Sequence, residues 1–200
     1  MPGTAIVNCF PESFVPQTKG WYSVGIHPWY IASFAASLND SKARFEELLD
    51  HPQVLAVGEA GLDKLTEAPL ALQIEVFEYQ ARLAEEADKP LIIHLVKAVD
   101  ELLKLKQKIR PVKPWIIHGF RGKAALAEEY LRHGFYLSFG EKYQKEALCI
   151  MPSERLFIET DESTTSVDVL YERAAILRKI PLEELRRTIR KNVSEIFFRR

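Results

Sequence analysis

Short apolar runs alternate with amphipathic stretches along the whole chain, and this alternation indicates repeated β-strand and α-helix units. The apolar runs predict seven strands, at residues 5–9, 22–26, 54–58, 91–93, 115–117, 135–139 and 156–159. Between the third and fourth strands, apolar residues recur at the three- and four-residue spacing of an amphipathic helix: Leu72, Val76, Tyr79, Leu83 and Ala84. The pattern predicts an α/β barrel of the TIM type, one strand short of the usual eight.

Side chains that commonly bind metals end four of these apolar runs. VLAVGE ends in Glu59, PLIIH in His94, PWIIH in His118 and RLFIETD in Asp161. The C-terminal ends of parallel barrel strands converge, so we expect these four residues to share one site. Each residue alone has a structural alternative, because a histidine there can be a packed rim residue and a carboxylate can cap a helix or pair with a cation. Four such residues at separate strand ends favour the shared site.

Imidazole and carboxylate together form a donor set that suits zinc, manganese or iron(II). A carboxylate can also bridge two ions that activate water and hold a phosphoryl or carbonyl oxygen. This donor set predicts a metal-dependent hydrolase.

Composition narrows the class of protein further. The chain has 200 residues with 47% hydrophobic content, which predicts one domain, 1–200, with a single core. Its 27 basic and 28 acidic residues give a net charge of -1, which excludes an overall basic surface, so phosphate binding must be local. No signal peptide pattern and no apolar run of membrane-spanning length occurs, which predicts a cytoplasmic protein without a membrane partner.

Six segments carry a resemblance to a known family. They are YSVGIHPW (22–29), VGEAGLD (57–63), PLIIH (90–94), IIHGFRG (116–122), GFYLSFG (134–140) and FIETD (157–161). Their order and spacing, with the closing KNVSEIFF (191–198), resemble the TatD family of metal-dependent hydrolases across nearly the whole chain.

The resemblance implies a TIM barrel of the amidohydrolase type with a two-metal centre that hydrolyses phosphodiester bonds, commonly of DNA. By position, Glu59 resembles the carboxylate shared between the metals, His94 and His118 resemble ligands of one ion, and Asp161 resembles a ligand of the other. Asp161 is also expected to orient or deprotonate the attacking water. The cofactor is then zinc, magnesium or manganese, one or two ions per chain.

The chain departs from the family at its beginning. Family members open with a strand that ends in a His-x-His pair, whereas this chain has no histidine before His27. The first family strand is therefore expected to be missing, unless the natural protein is longer and carries that strand before Met1. Without the pair, one metal position keeps only Glu59 and Asp161, whereas the other keeps Glu59, His94 and His118. We therefore expect at most one well-held ion, on the His94 side.

Three further residues are candidates for substrate binding, each with an alternative. His27, at a strand end, either faces the substrate or packs at the rim. Lys97 stands where the family usually has an arginine, and either supplies a point charge to phosphate or begins a solvated helix. Arg121, between Gly119 and Gly122, either binds an anion or forms a surface salt bridge.

Two aromatic residues and one carboxylate complete the candidates. Trp29 and Tyr30 form either an aromatic wall on which a base stacks or ordinary packing. Asp63 is expected to hold its own loop rather than a metal.

The sequence leaves three functions open. The first is a deoxyribonuclease or phosphodiesterase, acting on DNA or a small phosphodiester. The second is a catalytically impaired barrel that binds metal or ligand, because the histidine pair is absent. The third is an amide or ester hydrolase with the same barrel, since a metal polarises a carbonyl as it does a phosphoryl group. The oligomeric state is not predicted.

Overall fold

The computed structural model describes the backbone of residues 5–32 and 38–198. Within these ranges the chain has seven β-strands, which agrees with the predicted number, and each strand pair with a defined register is parallel. The strands are β1 (Ile6–Cys9), β2 (Trp21–Val24), β3 (Val54–Asp63), β4 (Leu91–Val96), β5 (Trp115–Ile117), β6 (Tyr136–Phe139) and β7 (Leu156–Ile158).

From β2 onward, helices connect the strands, as is usual for parallel pairing, whereas the segment between β1 and β2, which is described in full, contains only a 3₁₀ turn. The helices are α1 (Pro28–Ile31), α2 (Leu38–Leu49), α3 (Leu70–Glu86), α4 (Val99–Ile109), α5 (Ala124–Arg132), α6 (Lys145–Ile150), α7 (Val167–Arg178) and α8 (Leu182–Phe197), with short 3₁₀ turns at Pro11–Ser13 and Ser153–Arg155. The amphipathic helix predicted between the third and fourth strands is α3. None of the helices in the described ranges has the length and apolarity needed to cross a membrane.

The chain divides into two compact units, residues 1–115 and 116–200. In the first unit β1 to β4 pair in chain order. In the second unit β5, β6 and β7 do the same. Seven parallel strands alternating with helices are the (β/α) architecture of the TIM-type class. The prediction of one domain over residues 1–200 stays a prediction.

Each unit has its own apolar core. In the first unit β3 is buried on both faces, as is usual for parallel strands under helices. In β4, buried and partly buried residues alternate from Leu91 to His94. Helix α3 packs against β3, and the fully buried residues include Val54, Val57, Leu62, Leu91, Ile93, Val76 and Phe77. In the second unit the fully buried residues include Phe135, Leu137, Phe139, Leu156 and Leu185. The candidate site residues stand on this rigid framework.

Strands β3 and β4 are longer than predicted. Glu59 is the sixth of ten residues in β3, and His94 is the fourth of six in β4, so neither ends its strand. The reason is that the buried apolar run resumes after Glu59, where Ala60 and Leu62 pair with Ile93 and Leu95. The register between β3 and β4 is irregular at this point, between Val57 and Ala60.

Two buried glutamines of α3 hold the backbone where β2 and β3 leave the sheet. The Gln80 amide accepts a hydrogen bond from the Ile26 N–H (2.7 Å) and donates one to the Ile26 carbonyl (3.0 Å). The Gln73 amide accepts from the Asp63 N–H (2.7 Å) and donates to the carbonyls of Asp63 (3.0 Å) and Ala68 (2.7 Å). Each glutamine thus provides hydrogen-bond partners to a buried N–H and a buried carbonyl.

We expect Gln80→Leu to lower the free energy of unfolding by about 2–6 kcal/mol, because two buried backbone groups lose their partners at roughly 1–3 kcal/mol each. Urea denaturation of both proteins measures this difference. The control is Arg82→Leu, an exposed position on the same helix, for which the change should stay within about 0.5 kcal/mol. Equal losses in the two variants would contradict the role given to Gln80.

Candidate functional site

Glu59 is positioned through its backbone by a residue of β1. The Glu59 N–H donates a hydrogen bond to Asn8 Oδ1 (2.7 Å), and the Ser23 hydroxyl lies 3.4 Å from the same oxygen. The peptide bond between Gly58 and Glu59 is cis. The carboxylate itself is 18% exposed and lies beside His27, with 3.5 Å between His27 Nε2 and Glu59 Oε2. Asn8 did not stand out in the sequence.

His94 in β4 packs so closely against β3 that residue 61 of β3 must be a glycine. A Cβ atom at Gly61 would meet the His94 carbonyl oxygen at 1.9 Å, so any side chain at residue 61 would push β4 away. Because Gly61 has none, the two strands approach closely and the His94 ring lies near His27, with 4.3 Å between ring centroids.

His27, Glu59 and His94 form the first cluster, which we call the His27 cluster. One ligand-type atom from each lies within 4.8 Å of the others, and His27 is buried while the other two are partly buried. The structure thus brings together Glu59 and His94, as predicted, and adds His27, which the sequence suggested for substrate.

Hydrogen bonds define the proton positions on both histidines. His27 caps helix α1, and its Nδ1 accepts from the Trp29 N–H (3.2 Å), so neutral His27 carries its proton on Nε2, facing Glu59. His94 Nε2 lies 3.1 Å from Asp63 Oδ2, which as an acceptor fixes the proton on Nε2 and leaves the lone pair on Nδ1. His94 therefore suits a metal ligand, whereas His27 suits a hydrogen-bond donor to Glu59.

Asp63 connects three neighbours and is almost fully buried. Its Oδ1 accepts from the Leu65 N–H (2.8 Å), which holds the loop after β3, and its Oδ2 accepts from the Trp29 indole (2.7 Å) and faces His94. Burial raises the pKa of this carboxyl, but the hydrogen bonds from Trp29, Leu65 and His94 outweigh burial, and the pKa is lowered. Asp63 is therefore an anion that accepts hydrogen bonds on both oxygens.

The second unit holds another group, which we call the His118 cluster: His118, Glu159 and Asp161. His118 is the first residue after β5 and Glu159 the first after β7, while Asp161 follows in a left-handed conformation with φ of 50°. Glu159 Oε1 accepts from the Gly119 N–H (2.6 Å) and lies 3.6 Å from His118 Nδ1. Glu159 thus holds the loop of His118 and faces one nitrogen of its ring.

Glu159 is the residue that the sequence interpretation missed. The same reasoning that selected His118, a polar residue directly after a buried strand, would have selected Glu159. The motif FIETD instead directed attention to Asp161, two residues further.

Of the other predicted residues, Lys97 and Arg121 lie outside both clusters. Lys97 directly follows β4, is exposed, and has φ of 55°. Arg121 is exposed in the loop after His118. Among the described residues, neither forms an ion pair, so each remains a candidate for an anionic ligand.

Both clusters fit a divalent ion. Each combines imidazole nitrogen with carboxylate oxygen, the donor set suited to zinc or manganese. Ligands of one ion at about 2.0–2.2 Å are at most about 4.4 Å apart, so atoms within 4.8 Å of one another need small side-chain rotations to share an ion. His/Glu/Asp groups are therefore positioned to hold metal in each unit.

Comparison with known proteins gives consistent results. The family model described as TatD related DNase matches residues 15–198. The uncharacterized metal-dependent hydrolase YabD of Bacillus subtilis strain 168 is 31% identical over 191 residues, which cover 84% of this chain and 75% of that protein. The 3'-5' RNA nuclease TATDN2 of Homo sapiens is 34% identical over 170 residues, which cover 78% of this chain and 22% of that protein.

Another relative, the 3'-5' ssDNA/RNA exonuclease TatD of Erwinia amylovora, is 28% identical over 152 residues, and the match covers 57% of its length. This chain therefore spans less than two thirds of several of the curated relatives it matches.

A solved structure matches the fold. The crystal structure of YJJV, a TatD homolog from Escherichia coli K12, has a TM-score of 0.85 and 21% sequence identity, and the match covers 99% of this chain and 87% of that one. The TIM-type fold class predicted from the sequence is confirmed. Since the family model accounts for nearly the whole chain, this protein belongs to the TatD-related DNase family.

Proposed function

We propose that this chain is a metal-dependent hydrolase of phosphodiester bonds in DNA or RNA, with Glu59, His94, His118 and Asp161 as metal ligands. The observation that carries the proposal is that a carboxylate faces one ring nitrogen of each ligand histidine. Asp63 faces Nε2 of His94, and Glu159 faces Nδ1 of His118. Such carboxylate–histidine pairs are typical of metal centres, where they orient the ring and raise its basicity.

One or two divalent ions, zinc, magnesium or manganese, would polarise a phosphoryl oxygen and lower the pKa of water. The side chains of the protein position the water and accept its proton. Asp161 accepts the proton of the attacking water, whose oxygen forms a bond to phosphorus while the bond to the leaving oxygen breaks. Its position after β7, exposed and in a fixed left-handed conformation, supports this role.

His27 contributes to the same chemistry as a donor. Its Nε2–H faces Glu59, so it steadies the orientation of that carboxylate without competing for the metal. Lys97 and Arg121 are proposed to contact the phosphates of the substrate, as exposed cations in the loops after β4 and β5. With a net charge of -1, such local cations are the means by which this chain would attract a polyanion.

Two relatives support nucleic acid as the substrate class, since one is named an RNA nuclease and the other an exonuclease of single-stranded DNA and RNA. We extend this substrate class to the chain as part of the proposal. A cytoplasmic location is proposed on the sequence pattern alone.

We expect Glu59→Gln and Asp161→Asn each to lower the rate of hydrolysis of a short single-stranded DNA by about 10²–10⁴-fold, because each removes a carboxylate charge needed for metal or proton binding. The assay is run with magnesium, manganese or zinc, and circular dichroism verifies the fold.

The matched control is Glu75→Gln, whose side chain is 67% exposed and lies on α3, and its rate should equal that of the wild type. Unchanged rates in both Glu59→Gln and Asp161→Asn would reject the proposed catalytic residues. Hydrolysis of amides or simple esters in place of DNA would reject the proposed substrate class.

Asp63→Asn should weaken metal binding by about 10–100-fold, with a smaller effect on the rate at saturating metal. If the asparagine Oδ1 keeps the hydrogen bond from the Leu65 N–H, its side-chain NH₂ group points at His94 Nε2 and donates to it. His94 would then take the opposite tautomer, with its proton on Nδ1, and lose the lone pair that binds the ion. Asp63 is thus a positioning residue.

The readout is the melting temperature as a function of manganese concentration, since an ion that binds the folded state raises stability with its concentration. Asp50→Asn, an exposed change of the same kind, should leave the metal titration unaltered. A titration of Asp63→Asn that coincides with wild type would show that Asp63 holds its loop and nothing more.

A further inference from the structure

Trp29 is an exposed aromatic residue beside the His27 cluster. It lies in α1, two residues after His27, and 52% of its surface is accessible. Its ring meets the rings of His27 (4.9 Å between centroids) and His94 (5.7 Å) edge to face. In contrast, Trp115, the first residue of β5, is fully buried. Core packing therefore explains the presence of a tryptophan at residue 115. At residue 29 it covers only about half of the tryptophan surface.

The indole is rigidly held. Its N–H donates to Asp63 Oδ2 (2.7 Å), so the polar edge of the ring is satisfied inside the protein. Helix α1 begins with Pro28, which restricts the backbone. The side chain of Trp29 is therefore anchored through its one polar atom, which is hydrogen-bonded within the protein.

The surroundings favour an aromatic, anionic ligand. Tyr30 is 38% exposed and packs against Phe10 (4.4 Å between ring centroids), which extends the aromatic surface. Lys97, three residues after His94, is an exposed cation with no ion pair among the described residues. A nucleotide combines the base that a tryptophan stacks with the phosphate that a lysine attracts.

We propose that Trp29 is a stacking platform for an unpaired nucleobase beside the phosphodiester group at the His27 cluster. The ring centroids of Trp29 and His94 are 5.7 Å apart, so a base stacked on the indole would lie next to that cluster. Stacking tolerates any base, because every base has a π-face, and it selects single strands over duplexes, whose bases are already stacked. This inference rests on the proposed function, because it specifies single-stranded nucleic acid as the substrate.

The experiment measures binding, so it does not depend on turnover. Two fluorescein-labelled probes are used. One is a single-stranded DNA of about 10 nucleotides, and the other is the same strand with an abasic site in place of every base. Each is titrated with protein in calcium buffer, and fluorescence anisotropy gives the Kd. Trp29→Leu should raise the Kd of the base-bearing strand by about 5- to 150-fold and leave that of the abasic strand within about twofold.

Trp29→Phe is the decisive comparison. Phenylalanine and leucine both lose the hydrogen bond to Asp63, but phenylalanine keeps an aromatic ring, so Trp29→Phe should retain most of the binding of the base-bearing strand. Val112→Ala, an exposed apolar position in the loop before β5, controls for surface changes and should leave both Kd values unchanged. Melting temperatures verify that every variant is folded.

Three results would overturn the proposal that Trp29 is a stacking platform. They are no binding of the base-bearing strand by the wild type, equal weakening of the binding of both strands by Trp29→Leu, and equal Kd values of the Trp29→Leu and Trp29→Phe variants for the base-bearing strand. Failure of the proposed function gives a different result, namely binding that depends on Trp29 without hydrolysis in any metal.

Discussion

Buried backbone groups at the ends of strands need hydrogen-bond partners, and this requirement shapes the first unit. Where β2 and β3 leave the sheet, the N–H and carbonyl groups of Ile26 and Asp63 are held by the amides of Gln80 and Gln73. An amide can donate and accept at once, which neither a carboxylate nor an ammonium group can do. The two glutamines are seven residues apart, about two helical turns, so one face of α3 supports both strand ends. The hydrogen bonds of Gln80 to Ile26 hold the backbone next to His27, and those of Gln73 hold the backbone of Asp63.

His94 and His118 each have a carboxylate beside one ring nitrogen, but the nitrogen differs between the two residues. The carboxylate of Asp63 faces Nε2 of His94, whereas that of Glu159 faces Nδ1 of His118. The lone pair that suits a metal is thus on Nδ1 in His94 and is expected on Nε2 in His118. Each carboxylate also accepts a backbone N–H of its own loop, from Leu65 and Gly119 respectively, so loop conformation and ring orientation are fixed together.

Hydrophobic periodicity was sufficient to predict the number of strands and the helix α3, because buried parallel strands are continuous apolar runs. It was insufficient at β3 and β4, since a charged Glu59 and a His94 in mid-strand resemble a strand end in sequence. Glu159 was not selected, and the substrate role predicted for His27 stays a prediction, for a related reason. Their roles depend on which neighbour each ring nitrogen or carboxylate oxygen faces, and the order of residues carries no such information. Asn8, Gln73 and Gln80 act through backbone groups, which no side-chain motif reveals.

Helix α1 is a single turn that carries both His27 and Trp29, and its conformation is fixed before any ligand arrives. His27 caps the turn, Pro28 restricts the backbone, and the indole is tied to a buried carboxylate. A ligand that meets a surface already in its final conformation loses no binding free energy to ordering that surface. Binding at this turn therefore carries little cost for ordering the protein surface, and a change in the length or capping of the turn would add such an entropic cost to the binding free energy.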